Sequence, residues 1–377
     1  MNRLFIISAL LAIVPLFSFG HVKDTLLYKG QLSAWTNYNL TGDDLAIGGR
    51  YIPQVNLTKH FSEKSLFDLE LSANIYLNWY SNADPYGEAK PYRVWTRYST
   101  PQFEIRAGLQ KINFGSATML RPLMWFDQMD PRDPLQLTDG VWGLLGRYYF
   151  LNNANIWLWG LYGNEDPKGW EVFKTEKGKP EFGGRIQLPV FIGEAAISYH
   201  HRLSYFKSFT HDMYWADYNH IPEDKLGFDT KIDWIVGFWV EGSRNLFGKD
   251  LERLINHTLL NIGTDYTFGI GNGLLAVYEH LFILYDKKPL FMKKEYQFSL
   301  FSLSYPIGIF DNLSAMVYYS WDMDEFYTFL NWQRTYNRIS LHLMAYWNPE
   351  TFNLPQQNLS NNLFGGKGVQ FMFVFNH

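Results

Sequence analysis

The chain contains no cysteine. That removes a disulfide framework, a thiolate metal site, a cysteine nucleophile and a lipid anchor on an N-terminal cysteine. Beyond Gly20 it also has no apolar run approaching the roughly 20 residues that a membrane-spanning helix needs. Charge of one sign is missing too: 33 Lys and Arg stand against 37 Asp and Glu, a net of -4, which gives no reason to propose a nucleic-acid partner. No stretch carries convincing helix caps. Nothing marks a second domain, and no repeat goes beyond a strand rhythm.

What the chain has in excess is aromatic side chains, at 18% of residues with 14 Trp, 25 Tyr and 30 Phe. These residues suit pleated, half-buried surfaces and membrane–water interfaces. Residues 1–20 have a basic start at Arg3, an apolar run from Leu4 to Phe17 and a small-x-small ending at Ser18-Phe19-Gly20. That pattern predicts an export signal cleaved before His21. A membrane-anchoring helix is the alternative for the same residues. The mature chain, 21–377, is then either a secreted soluble protein or a barrel in the outer membrane of a Gram-negative bacterium.

Periodicity favours the barrel. Phe67, Leu69, Leu71, Ala73, Ile75, Leu77 and Trp79 alternate with Asp68, Glu70, Ser72, Asn74, Tyr76 and Asn78. This run exceeds most soluble strands and suits one face in lipid and one in a wet lumen. The same rule places strands near 27–38, 45–58, 65–80, 91–100, 102–112, 140–151, 154–163, 180–189 and 193–204. It continues at 223–231, 234–243, 254–268, 273–286, 294–305, 312–322, 325–335, 338–348 and 367–376. The predicted fold class is all-β: a transmembrane, antiparallel, up-and-down β-barrel of about 18 strands, or 16 if two short candidates merge. Short and long links alternate, except that the link at 323–324 is short where a long loop is due. The last strand is aromatic-rich and resembles the terminal assembly signal of outer-membrane barrels, with His377 in the final place.

Facing rules then define a lumen, because a charge turned to lipid at mid-membrane costs roughly 2–4 kcal/mol. Arg50, Arg93, Arg97, Glu104, Arg106, Arg147, Arg185 and Arg202 are the predicted pore-lining residues, with Asp68, Glu70, Gln110, Tyr149 and Gln187 beside them. Later strands add Glu194, His200, Asp229, Lys231, Asp233, Glu241 and Arg338. Arginine on one wall favours an anionic or polar solute, through planar two-pronged hydrogen bonds. The competing reading is that these charges pair with the lumen's acids and fill it. The link at 113–139 is too long for a mere connection. It carries Arg121, Asp127, Asp130, Arg132 and Asp133 among Met119, Leu120, Leu123, Met124, Trp125 and Phe126, and is expected to fold inward as a constriction. A cap over the mouth or a plain surface loop is the alternative.

Catalytic and metal constellations are weak, and no cofactor is called for. Ser198, His200 and His201 form no triad with an evident acid. The Asp127, Asp130 and Asp133 carboxylates could hold Ca²⁺, yet salt bridges to Arg121 and Arg132 explain them better. His200, His201, His211 and His220 match no zinc spacing.

The run Arg106-Ala-Gly-Leu-Gln-Lys-Ile-Asn-Phe-Gly115 and the return Asp139-Gly-Val-Trp-Gly-Leu-Leu-Gly-Arg147 resemble the strand–long loop–strand motif of alginate-export-type barrels and related porins. Lys225 to Asp233, followed by Gly237 to Glu241, resembles one of their inner hairpins. The likeness covers about a third of the chain, and Leu109 stands where those proteins often carry Arg. It implies a barrel of about 18 strands with an Arg-lined lumen and passive transport of acidic polysaccharide or small polar solutes. The expected partners are membrane lipid and such a solute, with the oligomeric state open. A structural or partner-binding barrel with a plugged lumen is the competing function, and a barrel enzyme or secreted all-β protein a third.

Overall fold

Inside a bilayer every backbone N–H and C=O must find a partner within the protein, so a sheet that spans must close on itself. A computed structural model describes residues 24–207, 217–249, 256–286, 294–350 and 363–377, and in it the sheet closes. The expected export signal and His211 lie outside the described residues. The strands are β1 (Thr25–Asn39), β2 (Asp44–Ser62), β3 (Ser65–Tyr80), β4 (Tyr86–Ser99), β5 (Phe103–Gln110), β6 (Val141–Tyr149) and β7 (Asn155–Leu161). Next come β8 (Lys174–Thr175), β9 (Glu181–Val190), β10 (Gly193–Lys207), β11 (Asp217–Asp233), β12 (Gly237–Phe247) and β13 (Asn256–Phe268). The series ends with β14 (Leu274–Asp286), β15 (Lys294–Pro306), β16 (Asp311–Ser320), β17 (Glu325–Thr335), β18 (Ile339–Trp347) and β19 (Lys367–Asn376).

β8 is a two-residue fragment laid against β10, and β7 pairs directly with β9. The wall is therefore a closed antiparallel barrel of 18 strands, each paired with its neighbours in sequence. Closure runs through β1 and β19, from Gln31 opposite Asn376 to Asn39 opposite Gly368. Gly30 and His377 exchange two backbone hydrogen bonds of 3.0 Å at the seam. The His377 ring lies 6.0 Å from both Tyr51 and Phe375, stacked on each, so it occupies the aromatic's place at the end of the strand.

The faces follow the alternation. Ile75, Leu77 and Trp79 of β3 are exposed on the outside, while Asp68, Ser72 and Asn74 are buried inside. The link after β16 is an outer turn that is simply short, at residues 321–324. β4 begins at Tyr86 rather than near 91, because Pro91 does not end it. The missing donor falls at a register shift, where Ser72 faces Arg93 and Ala73 faces Pro91, the kind of irregularity that accommodates proline in a sheet. Arg338, expected on an inner face, instead lies in the turn after β17, where its carbonyl accepts the Asn376 amide at 2.8 Å.

Candidate constriction and lumen

The 111–140 segment leaves β5 and crosses the interior. Its acceptors lie on strands up to eight places round the wall. Glu279 of β14 receives Thr118 N (2.7 Å), Thr118 Oγ1 (2.9 Å), Met119 N (3.2 Å) and Leu120 N (2.6 Å). Glu241 of β12 receives Ala117 N (2.8 Å) and Leu123 N (2.7 Å). Ser116 donates to Asp229 at 3.1 Å, and Asn261 donates to the Leu120 carbonyl at 2.8 Å. A non-regular segment inside a barrel has unpaired amides, and carboxylates from the far wall satisfy them through strong charge-assisted bonds. Gly115 permits the close approach: its φ is +106°, and a Cβ there would collide with the Glu241 carboxylate.

Apolar side chains anchor the rest. Phe114, Leu123, Trp125 and Phe126 pack with Leu145, Trp159 and Leu161 on one side. Leu120 and Met119 pack with Leu259, Leu281, Phe298, Leu300 and Tyr318 on the other. Each such fully buried side chain contributes about 1.5–3 kcal/mol.

A second infolded segment, residues 162–180, stands where the strand rhythm predicts only one of the longer links, near 164–179. Trp170 Nε1 donates to the Arg121 carbonyl at 2.7 Å, joining the two loops. Gly169 (φ +51°) lies where a Cβ would strike the Met124 carbonyl. Beneath it is a buried network of three acids, three Lys and Arg side chains and one histidine. Glu171 meets Lys225 at 2.5 Å, Arg202 at 3.0 Å and Lys168 at 3.6 Å. Glu181 meets Lys168 at 3.3 Å and His200 at 3.2 Å, and Glu223 meets Arg202 at 2.5 Å. Burial alone would raise the Glu171 carboxyl, but Arg202, Lys168 and Lys225 outweigh it and hold the group below the ordinary carboxylate range. Ligand atoms of Glu171, Glu181 and His200 converge within 4.8 Å. Both carboxylates already face lysine or arginine, so an ion pair network rather than a metal accounts for the cluster.

The predicted site residues separate into two groups. Arg185 and Arg202 face inward but are covered. Arg185 is held by Asp229 at 2.5 and 2.9 Å and lies 5.2 Å from the Phe114 ring. Arg202 is 0% exposed, within the network above. Ser198 accepts Arg185 at 3.2 Å, and His200 is buried between Trp159 and Glu181. That acid beside His200 was invisible in the sequence, because Glu181 lies one strand away.

The other group lines the wall from β2 to β6. Glu104 is shared by Arg106 (3.1 Å), Arg97 (3.5 Å) and Arg147 (3.7 Å), and Arg97 also reaches Asp68 at 2.6 Å. The side chains of Arg97, Arg106 and Arg147 keep 29%, 15% and 16% of their surface open to solvent. Aromatic faces support them: Arg147 sits 3.7 Å over Trp157, Arg106 4.8 Å over Trp95 and Arg50 5.5 Å over Trp35. The Nε donors of Arg50, Arg106 and Arg147, and the oxygens of Ser72 and Asn74, have no protein partner. Arg93 is spent on the fold, donating to the carbonyls of Thr138 (2.8 Å) and Tyr92 (2.6 Å).

The loop charges mostly satisfy one another. Arg121 pairs with Asp127 at 3.1 Å and Arg132 with Asp130 at 2.7 Å. Asp133 accepts the amides of Leu135 (2.9 Å) and Leu137 (3.2 Å). Burial pushes the Asp127 and Asp133 carboxyls up, against the pull of Arg121 on the first and of the Leu135 amide and Arg50 on the second. At the long-loop end a cleft of about 660 Å³ opens between the two infolded segments, lined by Lys90, Asp127, Thr138, Asp139 and Lys168 among others.

A closed 18-strand barrel, apolar outside and charged inside, with a segment folded across its lumen, has the architecture of an outer-membrane channel. No protein-family model matches the chain, and no curated protein does. Solved structures do match. OccD1 (OprD), as a two-substitution variant, aligns with TM-score 0.57 at 10% identity over 96% of each chain. Acinetobacter baumannii OccAB1 gives 0.54 at 8% identity over 94% of this chain and 95% of the other. The outer-membrane-expressed OmpT of Vibrio cholerae gives 0.52 at 10% identity over 95% and 99%. The chain shares the fold of the porins of the bacterial outer membrane.

Proposed function

We propose that this barrel is a passive channel for small polar or acidic solutes, with its passage along the β1–β6 wall. One observation carries the reading: five arginines (Arg50, Arg93, Arg97, Arg106 and Arg147) share that wall with three acids (Asp68, Glu70 and Glu104). The excess guanidinium charge sits in a partly desolvated lumen, where Arg97, Arg106 and Arg147 are donors still open to solvent, over 29%, 15% and 16% of their side-chain surface. Such donors suit planar carboxylates, which arginine binds through two parallel hydrogen bonds. The solute enters through the cleft at the long-loop end, loses part of its water beside the 111–140 loop and exchanges between guanidiniums. An acidic saccharide is the finer reading, resting on the likeness of Arg106–Gly115 to alginate-export-type barrels. Residues 1–20 serve as the export signal in this account.

The double variant Arg106→Ala/Arg147→Ala, reconstituted in planar bilayers under a salt gradient, is expected to lower anion over cation permeability. An unchanged reversal potential would overturn the proposal. A second reading, a plugged structural barrel, draws support from the two infolded loops that fill the β7–β18 side. Single-channel recording separates them: a structural plug gives no conductance even with 113–139 deleted.

A further inference from the structure

The turns at the short-turn end fall into two arcs. From β6 to β16, five consecutive turns (150–153, 191–192, 234–236, 269–273 and 307–310) contain no charged residue. Their tips are large apolar side chains standing free: Leu151 and Ile309 are 92% and 94% exposed, and Trp234 is 79% exposed, with Ile235 and Ile270 also exposed. Phe191 is fully exposed and holds a φ of +46°, a left-handed conformation that costs a bulky residue energy. Around the remaining rim the turns carry polar or charged side chains: Glu63-Lys64 after β2, Thr100-Pro101-Gln102 after β4 and Tyr336-Asn337-Arg338 after β17, where Tyr336 is 44% exposed.

We infer that the apolar arc is a membrane footing, sunk into the headgroup boundary of the inner leaflet, so that the barrel sits tilted with its β6–β16 side deeper. Three features favour lipid over a protein partner. The arc is continuous with the lipid-facing bands of the same strands, where Leu158, Ile186, Ile197, Phe228 and Phe238 are exposed. The tips are separate convex knobs rather than a groove, a shape that inserts among lipids without a matching surface. The absence of charge lets them enter the interface with no ion to desolvate, while Trp and Phe favour that layer. Tight turns at the periplasmic end of such barrels lie close enough to the bilayer for a modest tilt to immerse them.

The cysteine-free chain makes the test clean, since any introduced thiol is unique. Phe191→Cys, Ile235→Cys and Ile309→Cys, with Glu63→Cys and Asn337→Cys from the polar arc, are each labelled with an environment-sensitive dye. They are reconstituted in phosphatidylethanolamine/phosphatidylglycerol vesicles, and heat-modifiable migration confirms the fold of each. Positions 151 and 270 replace any arc variant that fails to fold. The dye at 191, 235 and 309 is expected to emit blue-shifted and to be quenched by lipids spin-labelled near the headgroup, but not by aqueous iodide. At 63 and 337 the reverse is expected. Iodide quenching at all five positions overturns the inference and hands the arc to a periplasmic protein. Equal lipid quenching at all five overturns the tilt.

Discussion

The inner faces of β1–β6 and of β7–β18 are written in the same alternating pattern, yet they end in opposite states. On the β7–β18 side two segments fold in, and the inward residues become a packed interior. Leu281, Leu300, Tyr318 and Tyr327 are almost fully buried there, and the inward charges Arg202, Glu171, Lys225 and Glu223 are sealed with them. On the β1–β6 side, the side chains of Arg97, Arg106 and Arg147 keep contact with water. The difference lies in the stoichiometry of charge. Under the second loop, three acids meet two lysines, one arginine and one histidine, and Glu171 alone bridges Lys225 and Arg202. On the open wall Arg97, Arg106 and Arg147 share Glu104, with Asp68 as a second partner for Arg97 alone, which leaves cationic character for something that arrives from outside.

The sharpest way to break this contrast is Glu171→Gln. It leaves Lys225 and Arg202 undercompensated in a sealed site, where removing one partner costs about 3–5 kcal/mol. Denaturant unfolding in detergent micelles, followed by heat-modifiable migration, would read it. Asp139→Asn, which removes the exposed partner of Lys90, is expected to cost no more than about 1 kcal/mol by the same measurement; equal losses would erase the distinction.

Next in size is Glu279→Gln, which weakens the charge-assisted bonds to the amides of Thr118, Met119 and Leu120, bonds of a class worth about 1.5–3 kcal/mol each. Faster amide exchange at 118–120 than in the parent is the expected sign. No change there would mean that the apolar contacts alone hold the loop.

Acid separates the two sides as well. The Glu171 carboxyl is held below its ordinary value of 4.5. Its stabilising contribution is therefore whole above that pH and is lost as pH falls through the depressed folded value. Unfolding free energy measured from pH 7 downward should show the parent losing stability below about 4.5 by a term that Glu171→Gln lacks. Parallel curves would count against the network. The smallest effect is expected for Trp95→Leu, which removes the ring beneath Arg106 and should cost about 0.5–1 kcal/mol.

Much of the wall was legible. The alternation at Phe67–Trp79 fixed both the existence and the facing of β3, and the inward placement of Asp68, Arg97, Glu104 and Arg106 followed from the cost of charge in lipid. The inward fold of 113–139 was legible from its length and its mixture of apolar and charged residues. The second loop was not, because its anchors are long-range: Glu171 meets Arg202 and Lys225 across strands, and no local pattern announces that pairing. For the same reason sequence could place Arg185 and Arg202 on the inner face but could not tell that loops would cover them. Proline misled at β4, where a register shift absorbs Pro91.

The crossing loop also has a mechanical consequence. A wide hoop supported only along its circumference yields easily to ovalisation, and its bore changes with lateral pressure. A spoke fixed at β5 and fastened by Glu241 and Glu279 to β12 and β14 pins one diameter. The cross-section beside the arginine wall is then set by the length of the spoke and stays constant as the surrounding bilayer thickens, thins or is stretched.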